Sequence, residues 1–326
     1  MYCWKSRIDT LLSLLHGEDN PKMRVLDLCC GAGGLSRGFE KAGFDLIGVD
    51  ISEEAIETFK LNNRGKCFQA DISKEVIETD CEVIIGGPPC KPWSAVNLTR
   101  RGRRHRDYKL LTTYFNHIEH NLPRAFMMEN VPLIANDCVL RKNIRRLRKV
   151  GYSITGKVVK YSDYGAPTKR HRFVVFGIRE KESSLFFSEL LKHTCDAKRV
   201  KDVIWELRHK EKYAIRDHVW PELQTIEKYR HYYETGKYGW YVLKWKEPAP
   251  SFGNVMKTYI LHPDAFNGKK NRVISVKEAS LVMGFGSGFR FPRDLGLGVR
   301  YQMIVDSVSP VFSYVAGKVT KKLLSS

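Results

Sequence analysis

The segment Gly86-Gly-Pro-Pro-Cys90-Lys-Pro-Trp-Ser94 sets one cysteine behind two prolines, directly after the apolar run Glu82-Val-Ile-Ile85. A thiolate is a strong nucleophile, suited to adding to an electron-poor carbon. The prolines restrict the backbone and so fix where the thiol points. A cysteine taken singly is more often a packed apolar side chain. One framed by Gly-Gly-Pro-Pro at a strand end is not placed for packing. Glu129 ends a second apolar run, Ala125-Phe-Met-Met128, which places a carboxyl group at another strand end. Arg170 and Arg172, in Thr168-Lys-Arg-His-Arg172, offer donors just ahead of the run Phe173-Val-Val-Phe176. Alone, Glu129 reads equally well as a capping or ion-paired carboxylate, and the arginines as a solvated basic turn.

Such groups need a frame. Short apolar strands are expected at 24–29, 46–50, 67–71, 82–85, 125–128 and 173–176, with helices between several of them. That alternation predicts a doubly wound α/β sheet, which binds ligands at the carboxyl ends of its strands. Cys90 and Glu129 both fall at such ends. Asp27-Leu-Cys-Cys-Gly31-Ala-Gly33-Gly34 makes a tight turn between the first strand and a helix at 35–42. Its glycines admit a close ligand, and the helix start offers amide donors. Asp50, closing the second strand, is placed for ribose hydroxyls, and Asp71, closing the third, for an adenine amino group. The pattern favours an adenosine-bearing ligand and leaves the chemistry open. Ser52 is expected to cap a helix through Lys60, and Ser275-x-x-Glu278 is a capping-box signature opening another. Residues 141–149 read as a helix with an exposed basic face, and 1–22 as a short amphipathic helical extension.

Lys and Arg number 55 against 36 Asp and Glu, a net charge of +19, which points to a polyanionic partner. Eight cysteines include no Cys-x-x-Cys pair, so no zinc site or redox dithiol is suggested. The absence of a secretory signal and of a membrane-length apolar run predicts a cytoplasmic protein with no membrane association.

In order along the chain, these motifs resemble those of the cytosine-C5 DNA methyltransferase family. The resemblance rests on the Pro-Cys segment at Cys90, Glu129-Asn-Val131, and Thr168 to Arg172 in place of a Gln-x-Arg-x-Arg block. It continues through Arg272 to Pro292, with Lys277-Glu-Ala279 and Met283-Gly-Phe285, and through Tyr301 to Val308. It covers residue 24 to about 317, except a variable stretch from roughly 180 to 245. It implies S-adenosyl-L-methionine as cofactor, with S-adenosyl-L-homocysteine as product, and duplex DNA as substrate. Cys90 would attack C6 of a flipped-out cytosine, Glu129 would hold N3 and N4, Arg172 would donate to O2, and Arg170 would position the loop or a phosphate. Cofactor contacts are implied at Cys29, Gly31, Gly33, Gly34, Leu35, Asp50, Ile51, Asp71, Ile72, Pro89, Ser307 and Val308. DNA contacts are implied at Ser94 and at Arg100, Arg101, Arg103, Arg104 and Arg106, five arginines within seven residues.

The expected organisation is a helical extension (1–22), a catalytic domain (23–178), a smaller target-recognition domain (179–271) and a C-terminal return to the catalytic domain (272–326). Most aromatics of 200–247 are expected to build the smaller domain's own core. The chain departs from the family pattern at Cys29, where an aromatic is usual, at Thr168 for Gln, and at Val305-Asp306 for Gly-Asn. A stand-alone modification enzyme, acting as a monomer beside a separate restriction endonuclease, is the expected role. A tRNA cytosine-C5 methyltransferase is the alternative enzyme, and a non-catalytic DNA-binding regulator the alternative of another class. The tRNA branch's Cys-Phe-Thr segment is missing from the second domain.

Overall fold

The computed structural model describes residues 22–93, 105–236, 240–258, 260–267 and 271–326. The expected helix at 1–22 lies outside them but for its last residue. Seven strands form one sheet in the order β3-β2-β1-β4-β5-β7-β6. They are β1 (Arg24–Leu28), β2 (Asp45–Asp50), β3 (Lys66–Gln69), β4 (Val83–Gly86), β5 (Ala125–Asn130), β6 (Ser153–Lys160) and β7 (His171–Ile178). The first five run parallel, and β7 is antiparallel to both its neighbours. Chain order reverses between β1 and β4, so a crevice opens at the carboxyl ends of those two strands. The glycine-rich turn leaves β1 there, and the Pro-Cys turn leaves β4.

Helices α1 (Gly34–Lys41), α2 (Glu53–Asn62), α3 (Lys109–Asn121), α4 (Cys138–Lys149) and α5 (Ser184–Leu191) cover the sheet. The smaller lobe carries α6 (Val200–Ile204), α7 (Arg230–Thr235), α8 (Val255–Thr258) and α9 (Val276–Val282). The chain then continues as α10 (Leu297–Asp306) and α11 (Pro310–Ser325). Ser52 caps α2 by accepting from the Ala55 amide at 3.2 Å. Ser275 and Glu278 close a reciprocal capping box on α9. Both follow from the sequence, because a side-chain oxygen must satisfy otherwise orphaned amides of the first turn.

β6 was not expected. Its burial alternates poorly, with Gly156, Lys157 and Val158 all exposed, because it is one of the sheet's two edge strands and pairs on one side only. A second difference concerns 272–306. Val273, Val276, Met283, Tyr301 and Ile304 share a core with Val200, Trp220 and Leu261 of the smaller lobe. The return to the sheet comes at Val308 and Phe312, which pack with Phe39 and Val174. The lobe's aromatics do largely build its interior: Trp220 and Tyr233 are buried, and Trp240, Tyr241 and Trp245 pack against them. Tyr213 is 73% exposed, Trp205, Tyr229 and Tyr232 are half-buried, and Tyr238 lies outside the described residues.

Candidate active site

A cleft of about 610 Å³ opens at the switch point between β1 and β4. One wall is the glycine-rich turn, another the Pro-Cys turn, and a third the last two turns of α10 with Ser307 and Val308. Sheet register explains how Glu129 and Arg172 meet. Glu129 lies opposite Val174 in the antiparallel pair, and side chains two apart share a face, so Arg172 projects on the same side. Arg172 Nε lies 3.0 Å from Glu129 Oε1. The Tyr161 hydroxyl donates to that same oxygen at 2.7 Å. Tyr161 is fully buried and stacks on Phe312 of α11, with ring centroids 4.9 Å apart. Glu129 itself is only 6% exposed, so its carboxylate is oriented before any ligand arrives.

Cys90 is half-buried in the same cleft. Asn130 Nδ2 donates to the Pro88 carbonyl at 2.8 Å and so ties the Pro-Cys turn to β5. The 3₁₀ turn Lys91–Trp93 begins at once, with the Trp93 amide donating to the Cys90 carbonyl at 2.9 Å. Burial pushes the Cys90 thiol up and Asp306 pushes it further, while Arg172 pulls it down; Glu129 and Arg170 add smaller opposing contributions. Cys29 and Cys30 also line the cleft, but burial raises their thiols far more strongly. Arg170 is buried, donating to the Val305 carbonyl, and loss of solvent followed by repulsion from Arg172 brings its pKa down to about 10. It therefore braces the end of α10 at the cleft wall.

On the turn side, the Gly31 amide donates to Asp50 Oδ2 at 2.8 Å and the Ser52 amide to Oδ1 at 3.0 Å, which holds Asp50 at the cleft wall. Ile51 presents an apolar surface there, 63% exposed. A side chain at Gly31 would meet nothing within 4 Å, so the turn leaves a cradle open. Asp27 is buried at the cleft floor, held by the Ser36 hydroxyl through one oxygen only. Its other oxygen has no hydrogen-bond partner among the described residues. Burial pushes its pKa up to about 7, against the pull of Ser36. An open cradle, an exposed apolar side chain and an orphaned acceptor fit a nucleoside-bearing ligand with a polar tail.

Of the residues expected from sequence, Cys29, Gly31, Gly34, Leu35, Asp50, Ile51, Pro89, Cys90, Arg106, Glu129, Arg170, Arg172, Ser307 and Val308 all line this cleft. Gly33, Asp71 and Ile72 do not. Gly33 caps α1 with φ 82° and packs so closely that a Cβ would lie 2.3 Å from Asn63 Nδ2. Asp71 is taken by the Ser73 amide at 2.9 Å, and Ile72 is buried in the core behind Cys29. Ser94, Arg100, Arg101, Arg103 and Arg104 lie outside the described residues. Sequence reasoning missed Tyr161, Gln302 and Met303. Tyr161 follows the unrecognised edge strand. The two on α10 reach the cleft only because that helix lies across it. At the departing position Asp306, both carboxylate oxygens accept from Gln302 Nε2 at 2.9 Å, and the residue lines the cleft.

Comparison with known proteins defines the class. The family model "C-5 cytosine-specific DNA methylase" matches residues 23–322. The chain therefore belongs to that family, and its activity is that of a DNA (cytosine-5-)-methyltransferase. It is 29% identical to the type II methyltransferase M.FnuDI of Fusobacterium nucleatum, over 93% of this chain and 95% of that one. It is 27% identical to M.NgoPII of Neisseria gonorrhoeae, over 94% and 97% respectively. Among solved structures it resembles the Entamoeba histolytica methyltransferase EhMeth (TM-score 0.73, 17% identity, 93% of this chain and 99% of that one). It also resembles the S. pombe Dnmt2 methyltransferase (TM-score 0.70, 17% identity, 93% and 98%). These structural likenesses concern the fold alone. No described helix is long and apolar enough to cross a membrane.

Proposed function

We propose that the protein methylates C5 of a flipped-out cytosine in a specific duplex DNA sequence, through a transient bond from Cys90 to C6. The observation that carries this reading is the convergence of Cys90, the Glu129–Arg172 pair and the glycine-rich turn on one cleft. Cytosine C5 is a weak nucleophile in the intact aromatic ring. The Cys90 thiolate adds to C6, and the ring electron pair moves toward C5 and N3. Glu129, steadied by Tyr161 and Arg172, faces the N3 and N4 edge in its protonated form and shares its proton with N3, which neutralises the negative charge that builds on the ring. Arg172 donates to O2. S-adenosyl-L-methionine would be held by the wall of Asp50 and Gly31 and would supply an electrophilic methyl group, which C5 takes as S-adenosyl-L-homocysteine leaves. Loss of the C5 proton to a base then restores the ring double bond and expels the Cys90 thiolate. The base must leave the helix for this, because stacked neighbours block both faces of the ring.

The relatives named as type II methyltransferases support a place beside a separate restriction endonuclease. Arg106, 89% exposed at the cleft, and the basic run of 100–104 suit phosphate contacts on either side of the target. The test is methyl transfer from labelled S-adenosyl-L-methionine to unmethylated duplex DNA and, in parallel, to tRNA, with Cys90→Ala as control. Label at C5 of one short recurring DNA sequence is the expected result. Label in tRNA alone would overturn the choice of substrate.

A further inference from the structure

Trp93 and Tyr108 stand at the two roots of the arginine-rich stretch that follows the nucleophile, and one carboxylate holds both. The Trp93 indole N–H donates to Asp137 Oδ2 at 2.7 Å, and the Tyr108 hydroxyl lies 3.0 Å from each Asp137 oxygen. The two rings also pack together, with centroids 5.3 Å apart. Asp137 is simultaneously the N-cap of α4, accepting from the Val139 amide at 2.7 Å. A capping residue needs only that last bond, and serine or asparagine would serve. The carboxylate does more here: it joins three chain segments that are distant in sequence.

Resting on the proposed reaction, we infer that Asp137 is a positioning residue for the nucleophile. The route is short. Trp93 is buried, and its amide donates to the Cys90 carbonyl, so the indole anchor fixes the turn on which the thiol rides. From the far side, Tyr108 brings the returning chain to the same carboxylate, one residue past the cleft-lining Asp107. Through α4 and the preceding turn Pro132–Asn136, Asp137 is tied to the end of β5, which carries Glu129. The carboxylate thus holds the attacking group in register with the group that neutralises the ring. Bonds to a charged acceptor are stronger than neutral ones and dictate geometry more firmly. Misplacement of a reacting atom by a fraction of an ångström is costly in rate while leaving affinity intact.

The test uses the rate of covalent capture on a long duplex copied with 5-fluorodeoxycytidine triphosphate in place of dCTP, so every potential target is a trap. Asp137→Ser keeps a capping oxygen but is too short to reach Trp93 or Tyr108. Trp93→Phe keeps the ring packing and removes only the indole donor. Both variants should slow capture about tenfold or more, on the scale of one lost charge-assisted bond. Cofactor affinity without DNA should be unchanged, and the melting temperature nearly so. Capture at the wild-type rate in both variants would overturn the assignment and leave Asp137 a helix cap. Capture and cofactor affinity falling together would overturn it too, since that marks general loss of structure. Failure of the wild-type protein to be captured would instead count against the reaction itself.

Discussion

Tyr161 gives the residue scale its clearest test. Its hydroxyl donates to Glu129 Oε1, and the ion pair of that oxygen with Arg172 remains when the hydroxyl is removed. Tyr161→Phe should therefore leave the pair formed but less firmly aimed, lowering kcat about tenfold, as expected for a lost bond to a charged acceptor. Cofactor affinity should not change; steady-state methyl transfer and cofactor titration check both. Asp306 offers a test with a sign. Its carboxylate is, after burial, the main influence holding the Cys90 thiol above its ordinary range. The reactive form is the thiolate, so activity rises with pH as the thiol ionises. Asp306→Asn removes the charge and keeps an acceptor for Gln302, so the rising limb of the pH–rate profile should move to lower pH. An unmoved or upward-shifted limb would show that Asp306 does not act on Cys90.

At the scale of elements, α1 and the segment before α11 meet closely in the wall of the cleft. A Cβ at Gly34 would lie 2.4 Å from the Val308 carbonyl oxygen, which as backbone cannot swing aside. Gly34→Ala should push Ser307 and Val308 out of the wall, weakening cofactor binding at least tenfold, a change that equilibrium titration would register. Six strands, the five interior ones and the edge strand β3, were legible because each centres on a short apolar run bounded by turn or polar residues. β6 was not, since this edge strand carries lysines and an exposed valine on its open face. With β6 hidden, Tyr161 had no strand to follow and read as one tyrosine among fifteen. Cys90 was legible from its Gly-Gly-Pro-Pro frame, whereas Glu129 and Arg172 stood out only through the order of motifs that carries the family resemblance. The partners that aim them come from remote segments that only packing brings near.

For the whole molecule, the charge of +19 frames how DNA is gripped. Each phosphate neutralised by Lys or Arg releases counterions, so affinity should fall steeply with salt. Replacing Arg103 and Arg104 with alanine should reduce the slope of log affinity against log salt by about 1 to 2. Fluorescence anisotropy across a salt series measures it, and an unchanged slope would place those arginines away from the DNA. The stretch 272–306 shares motifs with the catalytic side but buries its apolar residues in the smaller lobe, because a shared core is set by contact and not by motif order. We propose that the catalytic domain resumes at Ser307, so α10 would belong to the recognition lobe while closing the cofactor cleft.

The central claim is that Cys90 bonds to the target base. Peptide mass spectrometry of the protein captured on the 5-fluorocytosine duplex tests it most directly, after nuclease and protease digestion. The account predicts a single modified peptide, carrying a methylated fluorocytosine nucleotide on Cys90, and none from Cys90→Ala. An adduct on Cys29 or Cys30, or methyl transfer persisting in Cys90→Ala, would contradict it.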